Sequence, residues 1–229
     1  MGEKVAVLVE LGAKRTFASA VEWPGWSRGG HDEQQALEAL AAHGDRYRSA
    51  IGAAAHELSL PSGVAALEVV ERLDGNSGTD FGVPTRGGAA DERPVTDAEL
   101  DRLSRLLRAC WDAFDRAASA AVGLDLAKGP RGGGRDLGRI VEHVLEAEEA
   151  YLVEIGGRRP SATDADVAER MAAVRDAGLS ALAARARGEP PPPSRRTKPP
   201  WTPRYFVRRS AWHALDHAWE IEDRAAKRS

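Results

Sequence analysis

Apolar positions along the first ninety residues gather in short β-branched runs. Residues 5–11, 16–23 and 66–73 each combine Val with Ala, Leu or Phe. Each run is bounded by Gly, Pro, Asn or Asp, as strands are. Between the second and third runs the spacing becomes helical. Asp32 opens a helical stretch with Ala36, Leu37 and Leu40 on one side, and Gly44 and Asp45 interrupt it. A second helical stretch is expected to about Leu58. The segment 74–94 is rich in Gly, Asp and Pro and reads as a turn, a short strand and then a linker.

From Thr96 the spacing is helical throughout. Thr96 and Glu99 form a capping-box pair, in which the hydroxyl satisfies a free helix N–H and the Glu reaches back. Leu100, Leu103, Leu107, Cys110, Trp111, Phe114 and Ala117 follow at intervals of three and four. After a Gly-rich stretch, a second helix is expected from near Asp136, with Ile140, Val144, Ala147, Tyr151 and Ile155 on one side. Gly156 and Gly157 stop it. A third begins near Thr163, carries Val167, Met171, Val174 and Leu182, and ends near Gly188. The proline-rich segment 189–200 cannot be helical, because proline removes donors and clashes with the preceding turn. A fourth runs from Pro203 through Trp212 and Trp219 to about Arg224. Four amphipathic helices so connected predict a four-helix bundle. The expected fold class is a small α+β domain over 1–90, followed by an all-α four-helix bundle over 96–229.

Composition narrows this picture. The 229 residues are 42% hydrophobic and 29% charged, enough apolar content for a sizeable core. No apolar run approaches the roughly 20 residues a membrane span needs. The first residues hold a short apolar stretch broken by Glu10, with no long apolar region or cleavage site, so no signal peptide is expected. One cysteine, Cys110, precludes an internal disulfide and points to the cytoplasm. The net charge of −3 argues against a generic nucleic-acid binder. That charge divides unevenly, −5 up to residue 95 and +2 beyond it. Arginine outnumbers lysine 27 to 5, the codon bias expected of a high-GC genome such as an actinobacterial one.

Three of the six histidines stand out: His143 on the second predicted helix, and His213 and His217 on the fourth. A spacing of i, i+4 puts His213 and His217 on one helical face, one turn apart. A facing His143 would complete a set of three imidazoles, and bundle cores build metal sites in this way. An HxxxH pair alone is a weak signal, and a core histidine bound to a backbone group is the ordinary alternative. The pair is not the HExxH of zinc proteases, because Ala214 occupies the glutamate position. Glu146 and Glu220 each lie three residues after a histidine and are candidates to orient an imidazole. Arg209, one turn before His213, and Arg135, beside the second helix start, are candidate cofactor-binding cations. For both, the ordinary alternative is a solvated surface arginine. The stretch KGPRGGGRD (128–136) precedes a helix N-terminus, which favours anions, but it lacks the spacing of a Walker loop.

The stretches IVEHVLEAEEAYL and RRSAWHALDHAWEIEDR resemble the DinB-like superfamily of four-helix-bundle metalloproteins. The resemblance covers about 96–229. It implies that His143, His213 and His217 bind a divalent metal, zinc or nickel, with coordination positions left open. It also implies a thiol cofactor such as mycothiol in S-transferase or isomerase chemistry, the reaction of some relatives. A metal bearing three neutral imidazoles keeps its full charge and lowers the pKa of a bound thiol or water. Cys110 lies on an apolar stripe, so the thiol would be imported. The segment FASAVEWPGWSRGGHDEQQALEAL (17–40), with Trp23-Pro24-Gly25-Trp26 and Gly30, is similar to the HicB-like antitoxin module. Here it reads as a packing or lid domain, with Trp23 and Trp26 at an interface, a pocket or simply in the core. The expected function is a metal-dependent, thiol-dependent S-transferase acting on an electrophilic small molecule, with no nucleic acid or membrane partner and a homodimer allowed. The alternatives are a metal-assisted hydrolase and a non-enzymatic interaction protein with structural histidines.

Overall fold

A computed structural model describes residues 4–60, 62–128, 134–161, 165–193 and 198–227. Strand β1 (Val5–Leu11) turns through Gly12 into the antiparallel β2 (Thr16–Ala20), which pairs in turn with β3 (Ser27–Gly30). Helices α1 (Glu33–Ala42) and α2 (Gly44–Ile51) follow. The chain then returns as β4 (Leu67–Asp74), parallel to β1 on its free side. The sheet order is β3-β2-β1-β4.

Side chains of β1 and β2 alternate between two covered faces, as a pleated strand requires. Val5, Val7, Val9, Ala18 and Ala20 enter the main core beside Ala36, Leu37 and Leu40 of α1. Leu8, Glu10, Phe17 and Ser19 are buried on the opposite face. That face is closed by residues 76–93 and by Trp212, whose ring meets Phe17 edge-on at 6.2 Å.

Residues 74–94 are folded, where a strand and linker were expected. Asn76 caps the short helix α3 (Ser77–Phe81) through a capping box with Thr79, and a 3-10 turn spans Ala89–Glu92. Two buried carboxylates organise the segment. Glu10 accepts hydrogen bonds from the Thr79 hydroxyl, the Thr85 amide and hydroxyl, and the Arg86 amide. Asp91 pairs with Arg208, whose guanidinium also donates to the Arg86 carbonyl at 2.8 Å.

Four long helices complete the chain: α4 (Asp97–Ala120), α5 (Leu137–Glu154), α6 (Val167–Ala186) and α7 (Pro203–Ala226). The Thr96–Glu99 capping box opens α4 as expected, and Asp136 caps α5 by accepting from the Arg139 amide. Helix α5 stops at Gly156, whose φ of 90° is open to glycine without strain. Helix α6 starts at Val167, capped by Asp166. Thr163, its expected start, lies outside the described residues. Helix α4 packs on α7 and α6, and α5 packs on α6 and α7. Arg175 of α6 ties three helices by pairing with Glu148 of α5 at 3.0 Å and Asp115 of α4 at 2.7 Å.

Helix α7 has Pro at its first turn, where a missing N–H costs nothing. Sixteen of its 24 residues are buried. A helix covered on all sides is a core element, and α7 touches both the helices and the amino-terminal layer. Leu215 and Ala211 close around Gly25, where an added Cβ would meet the Leu215 side chain at 2.9 Å. Among the described residues no helix is long and apolar enough to cross a membrane.

Two further expectations shift. The predicted strand 16–23 ends at Ala20, and Trp23 to Trp26 form a turn in which the Trp26 amide donates to the Trp23 carbonyl. The second helical stretch is α2, ending at Ile51 and followed by a 3-10 turn over Gly52–Ala55.

Candidate metal centre

Helices α5 and α7 bring His143, His213 and His217 together. One nitrogen from each ring lies within 4.8 Å of the others. The ring centroids are 5.2 Å apart for His143–His213, 5.0 Å for His143–His217 and 4.6 Å for His213–His217. Three nitrogens so placed approach the spacing that bonds of about 2.0–2.1 Å to one shared ion require.

The environment of His213 and His143 favours the neutral, ligating form of those two rings. Burial holds His213 well below the usual imidazole range, and the neighbouring His217, Arg209, His143 and Arg135 push the same way. His143 is lowered by burial, then by His217 and Arg135. The Nδ1 of His213 is buried and has no hydrogen-bond partner among the described residues. An unpaired nitrogen in such a place is costly, and a metal ion is one group that would satisfy the cluster. The donor set therefore fits a divalent metal of the zinc or nickel type.

His217 is oriented from behind. Its Nδ1–H donates to Glu220 Oε2 at 2.8 Å, which leaves Nε2 free as a ligand atom. Glu220 Oε1 accepts from Arg224 at 2.8 Å. The hydrogen bonds from His217 and Arg224 hold the Glu220 carboxyl below its ordinary range against the effect of burial. Arg224 also donates to the carbonyls of Ala127 and Arg135, both at 2.7 Å. Residues 217, 220 and 224 of α7 thus form a relay from imidazole to carboxylate to guanidinium.

Of the two carboxylates singled out by spacing, Glu220 reaches an imidazole. Glu146 is exposed, and among the described residues no hydrogen bond joins it to His143. Arg209 is buried rather than on the surface. Its guanidinium stacks over Tyr151 at 5.1 Å and Trp212 at 4.7 Å. Arg135 is exposed, and its charge is felt by both His143 and His213. Of the Gly-rich stretch, Arg131 lies outside the described residues. Cys110 is fully buried with Sγ 3.9 Å from the Pro24 carbonyl, and burial pushes its thiol up, away from reactivity.

Trp26 is a core residue, stacked on Tyr47 and donating to the Leu40 carbonyl at 2.9 Å. Trp23 lies under the Arg102 guanidinium against α4. Neither has a ring contact with the histidines. Tyr151 meets His213 edge-on at 5.6 Å and continues through Trp201 to Tyr205, forming an aromatic wall. Sequence reasoning placed Tyr151 on the buried stripe but gave it no role, and it passed over Arg224. The spacing of His217, Glu220 and Arg224 at three and four residues was the available signal.

In comparisons with known proteins, no family model, no curated protein and no solved structure matches the chain.

Proposed function

We propose that this protein is a divalent-metal-dependent enzyme, built on a DinB-like four-helix bundle of α4 to α7 with a HicB-like packing module ahead of it. The reaction we propose is thiol-dependent S-transfer to an electrophilic small molecule in the cytoplasm, with mycothiol as the candidate thiol. The observation that carries the reading is the convergence of three imidazoles from two helices, nitrogens within 4.8 Å, around an unpaired His213 Nδ1. His143, His213 and His217 would hold zinc or nickel. When bound, the metal would supply the positive charge that turns a thiol into its nucleophilic thiolate near neutral pH.

The chain's own residues do the rest. Glu220 fixes the tautomer and orientation of His217, and Arg224 holds Glu220 in place. Tyr151 walls the cluster on one side. Arg135 adds positive charge where an anionic cofactor would approach. With Cys110 buried behind Pro24, the nucleophilic sulfur must come from outside the chain.

The test is metal loading followed by a thiol titration. Chelator-treated wild type, reconstituted with cobalt, should take up one ion per chain, and Cys110→Ser should match it. His213→Ala should lose tight binding while keeping its helical circular dichroism. Thiol added to the cobalt protein should produce an intense sulfur-to-metal charge-transfer band with proton release. No metal uptake would make the histidines structural. Uptake with a spectrum indifferent to thiol would redirect the reading to metal-assisted hydrolysis.

A further inference from the structure

Helix α7 buries four arginines, and three are fully engaged. Arg204 pairs with Glu99 and donates to the carbonyls of Arg93 and Pro94. Arg208 pairs with Asp91 and the Arg86 carbonyl. Arg224 pairs with Glu220 and two further carbonyls. Arg209 is the exception. It is only 9% exposed, its Nη1 is fully buried without a hydrogen-bond partner, and among the described residues no carboxylate pairs with it. A buried charge is ordinarily paired. The Tyr151 and Trp212 rings flank the guanidinium and the Tyr151 side chain accepts a hydrogen bond from it, which leaves Nη1 to find a partner.

The position of that nitrogen is informative. Arg209 lies one helical turn before His213, and its charge is felt there. Tyr151 touches both residues. The carboxylate felt at Tyr151, Glu148, is committed to Arg175, and Glu220, further along α7, to His217 and Arg224. Arg209 thus offers an unmatched, buried Nη1 donor one turn from the histidine cluster. A guanidinium N–H donor matches a carboxylate, and the aromatic flanks suit a flat, unsaturated body next to it.

We infer that Arg209 binds the carboxylate of the protein's small-molecule substrate, holding the attached carbon skeleton against Tyr151 and Trp212 next to the three histidines. The substrate class is therefore a small, planar carboxylic acid. The inference rests on the metal-dependent reading for what happens to that acid, but the Arg209 site itself binds without metal.

Benzoate and its neutral isostere benzamide are the probes, titrated by calorimetry into the chelator-treated full chain, with inorganic phosphate as a third arm. Benzoate should bind saturably and at least about tenfold tighter than benzamide, the weight of one charge-assisted pair. Arg209→Met should abolish that preference while cobalt uptake and helical content stay at wild-type levels. Should the Met variant fail to fold, Arg209→Lys keeps the charge but loses the fork and should reduce the preference several-fold. Equal binding of the two probes, no saturable benzoate binding, or a preference surviving the substitution would overturn the inference. Phosphate binding tighter than benzoate would overturn the carboxylate assignment. His143→Ala separates the two readings. Benzoate preference without any metal uptake in the wild type would sink the metal reading alone. Metal uptake lost in His143→Ala, with no benzoate preference in either protein, would sink the Arg209 reading alone.

Discussion

Two buried polar regions of this molecule lie on the same helix and are built on opposite principles. At the joint between the sheet and α7, the Glu10 carboxylate accepts from Thr79, Thr85 and Arg86, and Asp91 meets Arg208 in a two-pronged pair. At the next residue of α7 and one turn beyond it, Arg209 Nη1 and His213 Nδ1 are buried and unmatched among the described residues. A satisfied network specifies architecture, because each member is held in a single arrangement. An unmatched one lowers stability and persists where something outside the chain completes it. The difference separates the residues of α7 that fasten the fold from those left without a partner in it.

The largest effect should come from breaking the satisfied side. Asp91→Ala strands Arg208 in a buried site and should cost about 3–5 kcal/mol in denaturant unfolding. Cobalt uptake per folded molecule should be unchanged. A cost below about 1 kcal/mol would mean that the joint is not the fastening described here.

A smaller effect should come from the site's supporting residue. Glu220→Ala removes the acceptor that orients His217 and should weaken metal binding roughly 10- to 100-fold in a competition titration. Its melting temperature without metal should stay near that of the wild type. If stability falls with no change in metal affinity, Glu220 belongs with the fastening residues instead.

The smallest effect concerns Glu99, away from both regions. Its hydrogen bonds with Thr96, followed by the pair with Arg204, bring its carboxyl down to about 2. A carboxylate whose folded value is depressed stabilises the protein above its unfolded value and loses that contribution as pH falls. Wild type should therefore lose stability between about pH 4.5 and pH 2. Glu99→Gln should flatten that limb of the melting curve and cost about 0.5–1 kcal/mol at neutral pH, as a capping loss does. An unchanged acid limb would show that the carboxylate is not held as described.

Sequence pattern revealed the long helices because caps and stripes are local. The Thr96–Glu99 box, the Asp136 cap and the Gly156 stop each act within a turn of the residues they organise. Strand β3 was missed because Ser-Arg-Gly-Gly carries no apolar alternation, and only its register with β2 makes it a strand. Residues 74–94 looked like a linker because their composition is that of turns. What folds them is Glu10, about 75 residues away in sequence and beyond any local window. The three histidines were legible from spacing and resemblance, and Glu220 from its offset to His217. The burial of Arg209 was not legible. A helix covered on all sides has no polar face by which an inside arginine can be told from an outside one.

The position of α7 in the chain bears on how the protein is made. It follows every element it packs against, including β2 through Phe17, the 3-10 turn through Asp91, and α4 and α5 along their lengths. During synthesis, Leu8, Phe17 and the inner stripes of α4 and α5 therefore emerge long before the helix that covers them. Early segments can form local helices and hairpins, but the shared core cannot close until residues 203–226 have been translated. A ribosome stalled in the proline-rich stretch before α7 would hold a chain with its apolar faces open, a natural client for chaperones.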